Sequence, residues 1–313
     1  MTTTPVLLPL IRPMLASPST GTGSRRAVDL GTLLHGTHLF DLKLDGLRCL
    51  LYWDGLTVRL LNRSGVDITR KFPEIEAAAP SLGTYPLILD GELVCTSGMF
   101  NDVATRGKQE KPHAISTAMA RLPARFVAFD VLHLESDQRY TKQFDRRMML
   151  DGLSLLWSKP FSAAPMSMNG EAMWESVGTL GLEGMIAKRL DQPYAEGKRS
   201  PAWLKFKTTR RITCIATGYE PGTGARAHFG AMYLALIGPD GPVPVGKVGT
   251  GFTASEITSL KADLDAGTMP LVEIEALNVG SGGQLRFPVY KGYRTDLSHL
   301  DATLDQLDQL PRC

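Results

Sequence analysis

Short, mainly apolar segments bounded by turn residues recur along the first two-thirds of the chain, which is a pattern typical of strands. Residues 38–43 predict one strand, and residues 47–61 predict two strands joined by a hairpin turn at Asp54-Gly55. Further strands are predicted at residues 86–95, 125–134, 184–188 and 203–207. Apolar positions recur at helical spacing in residues 141–155 and 171–180, and Thr141 is a predicted N-cap. This part of the chain is therefore predicted to be a mixed α and β domain.

After Lys207 the pattern changes to short strands separated by glycine-rich turns. Strands are predicted at residues 213–219, 231–237, 243–248 and 271–277, the last of which alternates apolar with acidic side chains. A helix is predicted at about residues 254–265, where Thr253 and Glu256 form a capping box. About five short strands with one helix predict a small β-barrel, for which the OB fold is a candidate. We place the domain boundary near residues 207–212.

Composition narrows the class of protein. At 313 residues the chain is long enough for two domains, although one large domain also fits the length. No apolar run is long enough to cross a bilayer, and no basic segment precedes the apolar residues near the N-terminus, so we expect neither a membrane span nor a signal peptide. The cysteines are scattered without a CxxC pair, which argues against a zinc site or disulfide framework and for the reducing cytoplasm. They are Cys49, Cys95, Cys214 and Cys313.

Charge is uneven along the chain, although the net charge is only +2. Residues 198–211 contain six basic side chains and no acidic one. Such a run is more often a solvated face than a binding surface. Trp203 and Phe206 lie within this run, and their large apolar side chains argue against a face that is entirely solvated.

Candidate chemistry begins in the nonapeptide FDLKLDGLR at residues 40–48. Lys43 would project from one face of a strand, Asp45-Gly46 would turn the chain, and Arg48 would return near the lysine. A free lysine, with a pKa near 10.4, is a poor nucleophile at neutral pH, but neighbouring cations or burial lower that pKa. The nonapeptide alone is equally compatible with an exposed lysine beside a hairpin.

Five further motifs follow this one in a fixed order. The first contains KxDGxR, and the others are RSG at 63–65, DGEL at 90–93, FVAFDVL at 126–132, EGMIAK at 183–188 and WLKFK at 203–207. The ordered set resembles the covalent nucleotidyltransferases, the superfamily of polynucleotide ligases and messenger-RNA capping enzymes. The resemblance covers nearly the whole chain, and six ordered matches are far more specific than any one of them.

The resemblance implies that Lys43 attacks ATP and carries AMP as a covalent lysyl-AMP intermediate. The catalytic residues that it implies are Lys43, Asp45, Lys205 and Lys207. The implied ATP-binding residues are Asp41, Arg48, Arg63, Glu92, Phe129, Glu183, Lys188 and Arg294. Phe129 is implied to stack on the purine, and Glu92 and Glu183 to contact Mg²⁺ or Mn²⁺. Taken alone, Phe129 would be predicted as a core residue and both glutamates as surface residues.

Several segments resemble the ligase branch of the superfamily. They are residues 13–16 (PMLA), 194–207, 245–252 and 286–296. The last resembles a motif that ends RxDK, but Leu297 stands where the lysine is expected after Arg294 and Asp296. The implied fold is an α+β nucleotidyltransferase (ATP-grasp-like ligase adenylation) domain at 1–207, followed by an all-β OB-fold domain at 208–313.

The implied function is that of a minimal, stand-alone bacterial-type ATP-dependent DNA ligase. Only about 37 residues precede the first predicted strand, so the amino-terminal DNA-binding domain of larger members is not expected. We expect a cytoplasmic monomer that seals nicked duplex DNA in repair, with repair proteins as candidate partners. Two alternatives stay open: an RNA-directed or capping-type nucleotidyltransferase, and a non-catalytic OB-fold nucleic-acid-binding protein.

Overall fold

A computed structural model of the protein describes residues 8–19, 33, 36–96, 100–224, 227–280 and 282–310. Contacts between residues divide the chain into a first unit, Met1–Phe206, and a second unit, Lys207–Cys313. The identification of these units as an adenylation domain and an OB-fold domain stays a prediction at this point. Among the helices within the described ranges, none is long and apolar enough to span a membrane.

The first unit mixes strands with helices. Its strands are β1 (Leu15–Pro18), β2 (His38–Leu42), β3 (Leu47–Trp53), β4 (Val58–Asn62), β5 (Leu87–Cys95), β6 (Ala124–Leu134), β7 (Ser136–Asp137), β8 (Phe161–Ala163), β9 (Met166–Ser167), β10 (Gly184–Arg189) and β11 (Arg199–Lys207). Its α-helices are α1 (Pro73–Ala78), α2 (Phe100–Gly107), α3 (Pro112–Arg121), α4 (Gln143–Ser154) and α5 (Gly170–Thr179).

These strands form two sheets. Sheet A has the order β1-β11-β10-β2-β9, and sheet B has the order β4-β3-β5-β6-β7, with β8 paired to β6. The β1–β11 and β6–β8 pairs are parallel. The β2–β10, β3–β5 and β5–β6 pairs are antiparallel, so both sheets are mixed.

Successive side chains of a strand point to opposite faces, so each sheet has two faces. Both faces of each sheet are covered. One face of sheet A packs on α5 through Phe40, Met173 and Leu204. One face of sheet B packs on helices α1, α2 and α4 through Ile75, Val103 and Leu150. The remaining two faces meet in a third core, whose buried members include Met14, Leu50, Ile88, Tyr194 and Trp203. We call these two facing surfaces the inner faces.

Most predicted elements of the first unit are confirmed, with ends that differ by up to four residues. The N-cap prediction at Thr141 is wrong. Lys142 caps α4 without a side-chain bond, and the Thr141 hydroxyl instead donates to the Gln138 side chain. Helices α1, α2 and α3 and strand β1 were not predicted, and all four are short.

The second unit is built mainly from β-strands. Its elements are β12 (Arg210–Glu220), β13 (Ala231–Gly238), β14 (Gly241–Val248), α6 (Ala254–Asp265), β15 (Leu271–Ala276), β16 (Asn278–Val279), β17 (Leu285–Arg286) and β18 (Val289–Tyr293). Five strands form one sheet in the order β14-β13-β12-β15-β18. Ile257 and Leu260 of α6 join the core of this sheet. The predicted strands and helix of this unit are confirmed, and so is the predicted capping box.

The capping box of α6 gives a stability test. The Thr253 hydroxyl accepts the Glu256 N–H, and the Glu256 carboxylate accepts the Thr253 N–H at 2.7 Å. Thr253→Ala should cost about 1 kcal/mol of helix stability and speed hydrogen exchange of the α6 amides. Thr258→Ala is the matched control, because Thr258 is exposed within the helix and alanine is the better helix former there. Equal acceleration in both variants would contradict the role of the cap.

Candidate active site

The inner faces of the two sheets bring the predicted residues of the first unit together. In β5, Leu89 and Leu93 face the helices, so Asp90 and Glu92 must point toward sheet A. In β10, Met185 and Ala187 face α5, so Lys188 points toward sheet B. Strand alternation alone therefore makes charged side chains from distant segments face one another.

Lys43 lies one residue beyond β2, and its side chain is 21% exposed. Its backbone N–H donates to the Gly184 carbonyl at 2.9 Å, which ties this loop to the start of β10. Its Nζ forms an ion pair with the Glu183 carboxylate. Neighbouring cations or burial were the predicted means of exposing the amine lone pair, and this carboxylate partner was not predicted. The Lys43 amine is thus held by a carboxylate from the residue that precedes β10.

The turn after Lys43 requires glycine. A Cβ on Gly46 would lie 2.4 Å from the Leu93 carbonyl oxygen and 2.7 Å from Glu92 Cγ. The turn can thus approach β5 only because Gly46 has no side chain. Asp45 is half-buried in the same turn. The close approach brings the Lys43 loop beside the strand that carries Glu92.

Arg48 is held by a buried carboxylate on the neighbouring strand. Its Nε and Nη2 donate to the two oxygens of Asp90 at 3.0 and 2.6 Å, and the Tyr194 hydroxyl donates to the same carboxylate at 2.6 Å. Burial acts to lower the pKa of Arg48, but the charge and hydrogen bonds of Asp90 raise it overall. Arg48 is therefore a fixed cation at the edge of the inner faces.

A second buried ion set surrounds Asp41. Arg147 of α4 contacts one carboxylate oxygen at 2.9 Å, and Lys188 contacts the other at 2.6 Å. All three side chains are at most 5% exposed. Burial raises the pKa of Asp41, and the two cations partly offset that effect. Asp41 thus lies beneath the site surface with both oxygens engaged.

Phe129 lies among these cations. The Lys188 ammonium is 4.7 Å from the ring centroid and donates to the Phe129 carbonyl at 2.8 Å. The Arg48 guanidinium is 5.3 Å from the same centroid. Trp203 packs edge-on against the ring, with 6.1 Å between centroids. The ring is only partly buried, so part of its surface is available to a ligand.

Glu92 carries a perturbed carboxyl group. Burial is the largest cause and raises the pKa of Glu92 to about 8, against the lowering effects of Lys43 and Arg48. The charges of Asp90 and Glu183 raise it further. A divalent cation would relieve this concentration of carboxylates, and Mg²⁺ is commonly held by one or two carboxylates together with substrate phosphates. Glu92 and Glu183 therefore fit a metal, although the described residues contain no cluster of three or more metal-ligating side chains.

The remaining predicted site residues lie in different parts of the structure. Lys205 and Lys207 continue the alternation of Trp203 along β11, opposite to the face of Leu204 and Phe206. Arg63 is exposed in the turn after β4. Arg294 belongs to the second unit, where its Nε and Nη2 each lie 2.8 Å from a carboxylate oxygen of Asp296. Leu297 packs against the core of the second unit.

Four residues with direct contacts to the site were assigned no role from the sequence. Asp90 begins the DGEL motif, and Tyr194 begins the run at 194–207, so motif membership was a usable signal for both. Arg147 and Gln143 come from α4, and the Gln143 side chain accepts the Trp203 indole N–H at 2.8 Å. A polar stripe on the buried side of a predicted helix was the signal available for these two.

The three cysteines that the structure describes take no part in this site. Cys49, Cys95 and Cys214 are buried free thiols, and Cys313 lies outside the described residues. Burial raises the pKa of Cys214 to about 12 and that of Cys95 to about 11. These thiols are therefore core residues, as the scattered sequence positions indicate.

Comparisons with known proteins identify a matching family. A family model described as ATP dependent DNA ligase domain matches residues 13–207. The chain is 30% identical over 307 residues to a DNA ligase of Natronomonas pharaonis, covering 88% of this chain and 55% of that protein. It is 30% identical over 285 residues to the multifunctional non-homologous end joining protein LigD of Mycolicibacterium smegmatis, covering 82% of this chain and 36% of that protein. The chain thus spans about half or less of these relatives' length.

One similar solved structure covers nearly the whole chain. It is the mycobacterial DNA ligase D complexed with ATP and MES, at 27% identity and a TM-score of 0.56. The match covers 94% of this chain and 98% of that chain. The similarity therefore includes most of both units.

The glycine requirement at the Lys43 turn is testable by stability. Gly46→Ala should destabilise the protein by about 1–3 kcal/mol, because the added methyl group meets a backbone carbonyl that cannot move freely. Gly178→Ala is the matched control, since its Cβ would meet nothing within 4 Å in helix α5. Urea unfolding measures both. A Gly46→Ala protein as stable as the control would show that the turn is not tightly packed.

Glu92 predicts a pH dependence of stability. Its pKa is about 8 in the fold and near 4.5 when unfolded, so the fold favours the protonated form. The resulting stabilisation is complete below about pH 4.5 and is lost as the pH rises through 8. Glu92→Gln, which stays neutral, should lose less unfolding free energy than the wild type between pH 5 and pH 8 without divalent metal. Glu175→Gln, at an exposed position, should follow the wild type; an unchanged slope for Glu92→Gln would refute the assignment.

Proposed function

The chain belongs to the family of ATP-dependent DNA ligases, and we propose that it seals nicks in duplex DNA through a lysyl-AMP intermediate on Lys43. The observation that carries this proposal is the position of Lys43, which is partly open to solvent beside two carboxylates and near a fixed arginine. The partly exposed Phe129 ring supplies a surface on which a purine can stack. ATP is the proposed nucleotide, in line with the matched family and with the ATP-bound relative.

The first proposed step forms the lysyl-AMP. Lys43 loses its ammonium proton to water, and the neutral Nζ attacks the α-phosphorus of ATP. A phosphorus–nitrogen bond forms, and the phosphorus–oxygen bond to pyrophosphate breaks. Negative charge grows on the phosphate oxygens, where Arg48, Lys205 and Lys207 provide counter-charge. We assign Asp45, in the Gly46 turn, to the catalytic loop that holds Lys43.

A divalent cation fits beside these residues. We assign Glu92 and Glu183 as the carboxylates that would hold Mg²⁺ or Mn²⁺. The chemistry that a bound cation supplies is charge neutralisation at the phosphates and at the two carboxylates. The raised pKa of Glu92 supports this assignment, because a neighbouring cation would offset the burial of its charge.

Two of the implied ATP-binding residues receive a refined role. Lys188 donates to the Phe129 carbonyl and packs on its ring, so we assign it to holding Phe129 in position for the purine. Asp41 pairs with Lys188 and Arg147, so we assign it to fixing Lys188. Arg63 and Arg294 stay proposed contacts to the ribose and phosphates of ATP.

Two further transfers complete the proposed reaction. AMP passes from Lys43 to the 5′-phosphate of a nick, which breaks the phosphorus–nitrogen bond and forms a phosphoanhydride. The adjacent 3′-hydroxyl then attacks the 5′-phosphate, forms the phosphodiester and releases AMP. Positioning and charge stabilisation supply most of the catalysis in such transfers. Binding of DNA through its phosphates should weaken as the salt concentration rises.

The domain assignment and cellular role belong to the same proposal. We propose that residues 1–207 form the adenylation domain and 208–313 the OB-fold domain, which the five-stranded sheet with α6 supports. The similarity to LigD, named for non-homologous end joining, supports a role in DNA repair. We further propose that the protein acts as a monomer in the cytoplasm, with other repair proteins as partners.

Covalent labelling tests the nucleophile. The wild type should form an acid-labile adduct with ATP labelled at the α-phosphate, and Lys43→Ala should form none while keeping its circular dichroism spectrum. Lys108→Ala, at an exposed position beyond α2, should label like the wild type. Full labelling of Lys43→Ala would refute the assignment of the nucleophile.

The same preparations separate the alternative functions. Labelling by GTP but not ATP would favour a capping-type enzyme, and DNA binding without any adduct would favour a non-catalytic binding protein. The labelled wild type should then seal a singly nicked DNA duplex and release AMP. Comparison with ribonucleotide-containing nicks and blunt ends would identify the preferred substrate.

A further inference from the structure

Tyr194 joins three segments that are far apart in sequence. It lies just before β11 and is 5% exposed. Its hydroxyl donates to Asp90 Oδ2 at 2.6 Å and accepts the backbone N–H of Met14 at 2.8 Å. A hydroxyl can donate and accept at once, whereas a carboxylate only accepts and an ammonium only donates. The Met14 N–H occupies the acceptor side of the oxygen, which leaves the O–H directed at Asp90.

The Tyr194 hydroxyl donates to the same carboxylate that binds Arg48. Asp90 is fully buried, and its Oδ2 accepts both Arg48 Nη2 and the Tyr194 hydroxyl, while Oδ1 accepts Arg48 Nε. Rotation of the carboxylate about its Cβ–Cγ bond would turn the planar arginine fork with it. The hydroxyl resists that rotation, because it binds one oxygen from a direction different from that of Arg48.

The aromatic ring of Tyr194 also packs close to Arg48, through Trp203. It packs edge-on against Trp203 with 5.7 Å between ring centroids. Trp203 in turn lies 5.7 Å from the Arg48 guanidinium carbon and edge-on to Phe129. The ring therefore supports the aromatic wall beside Arg48, and the hydroxyl acts separately on the arginine fork through Asp90.

We propose that Tyr194 is a positioning residue that sets the direction of the Arg48 guanidinium through Asp90 during formation of the lysyl-AMP. Arg48 uses two of its five N–H donors on Asp90, so the plane of that pair determines where the other donors point. The developing charge on the α-phosphate is stabilised only when those donors are already aligned. This inference rests on the proposed function of Lys43 as the adenylated nucleophile.

Tyr194→Phe tests the hydroxyl alone, because it keeps the ring that packs on Trp203. The single-turnover rate of covalent labelling at saturating ATP should fall about tenfold, as expected for loss of a hydrogen bond to a charged group. The KM for ATP should change less than the rate. Tyr85→Phe is the matched control, because Tyr85 is 58% exposed, and it should label like the wild type.

A double-mutant cycle with Arg48→Lys separates positioning from a general loss of stability. A lysine cannot form the two-pronged pair with Asp90, so adding Tyr194→Phe to R48K should cost less than about twofold. An equal fold-loss in both backgrounds, or no loss in Tyr194→Phe alone, would overturn the proposal. Where R48K labels too slowly to measure, the same cycle is carried out on the equilibrium binding of a non-hydrolysable ATP analogue. The fold-loss caused by Tyr194→Phe in the two backgrounds is then compared by the same criterion. A wild type that forms no adduct with ATP would instead overturn the proposed function, and this inference with it.

Discussion

The charges between the two sheets of the first unit can be buried only as complete sets. An unpaired charge in such a place costs several kcal/mol, whereas a well-bonded pair roughly balances its own desolvation. Asp41 is therefore matched by Arg147 and Lys188, and Asp90 by Arg48 and the Tyr194 hydroxyl. These sets add little to stability, which comes from the apolar cores on the outer faces of the sheets. Their consequence is geometric, because each set fixes the orientation of the cations that it contains.

Helix α4 shows how that geometry is supplied from outside the motifs. Its buried side carries Gln143, Arg146 and Arg147 together with Leu150, an unusually polar set for a packed helix face. Arg147 donates to Asp41, and Gln143 accepts the Trp203 indole N–H, so α4 contacts residues that lie beside Phe129 and Lys188. Arg146 pairs with the fully buried Asp130 of β6 and anchors the helix to sheet B. The position of Phe129 thus depends on a helix that contains none of the six motifs.

Sequence patterns predicted where the strands lie, because the pattern of side chains within a strand is a local property, and this covered β5 and β10. The facing of Glu92 and Lys188 between the two sheets was not predicted. The partners of those side chains were not predictable, because pairing such as Arg48 with Asp90 depends on sheet order. The predicted N-cap at Thr141 was wrong for a related reason, because the Thr141 hydroxyl donates to the nearby Gln138 side chain. The carboxylate partner of Lys43 was likewise not predictable, because motif spacing does not reveal which charge the fold places opposite.

That last difference bears on how the site can accept a nucleotide. Glu183 pairs with Lys43, and Glu92 lies close enough for Asp90 and Glu183 to raise its pKa. The surface beside Lys43 is thus rich in carboxylates, whereas the cations Arg48 and Lys188 lie toward Phe129. Under the proposed function, a triphosphate alone would meet repulsion from the carboxylates beside Lys43. Glu92 and Glu183 are the residues that would hold a divalent cation, and such a cation would supply charge neutralisation at these carboxylates and at the phosphates. The distribution of charge therefore favours the proposal that the nucleotide and a divalent cation bind together.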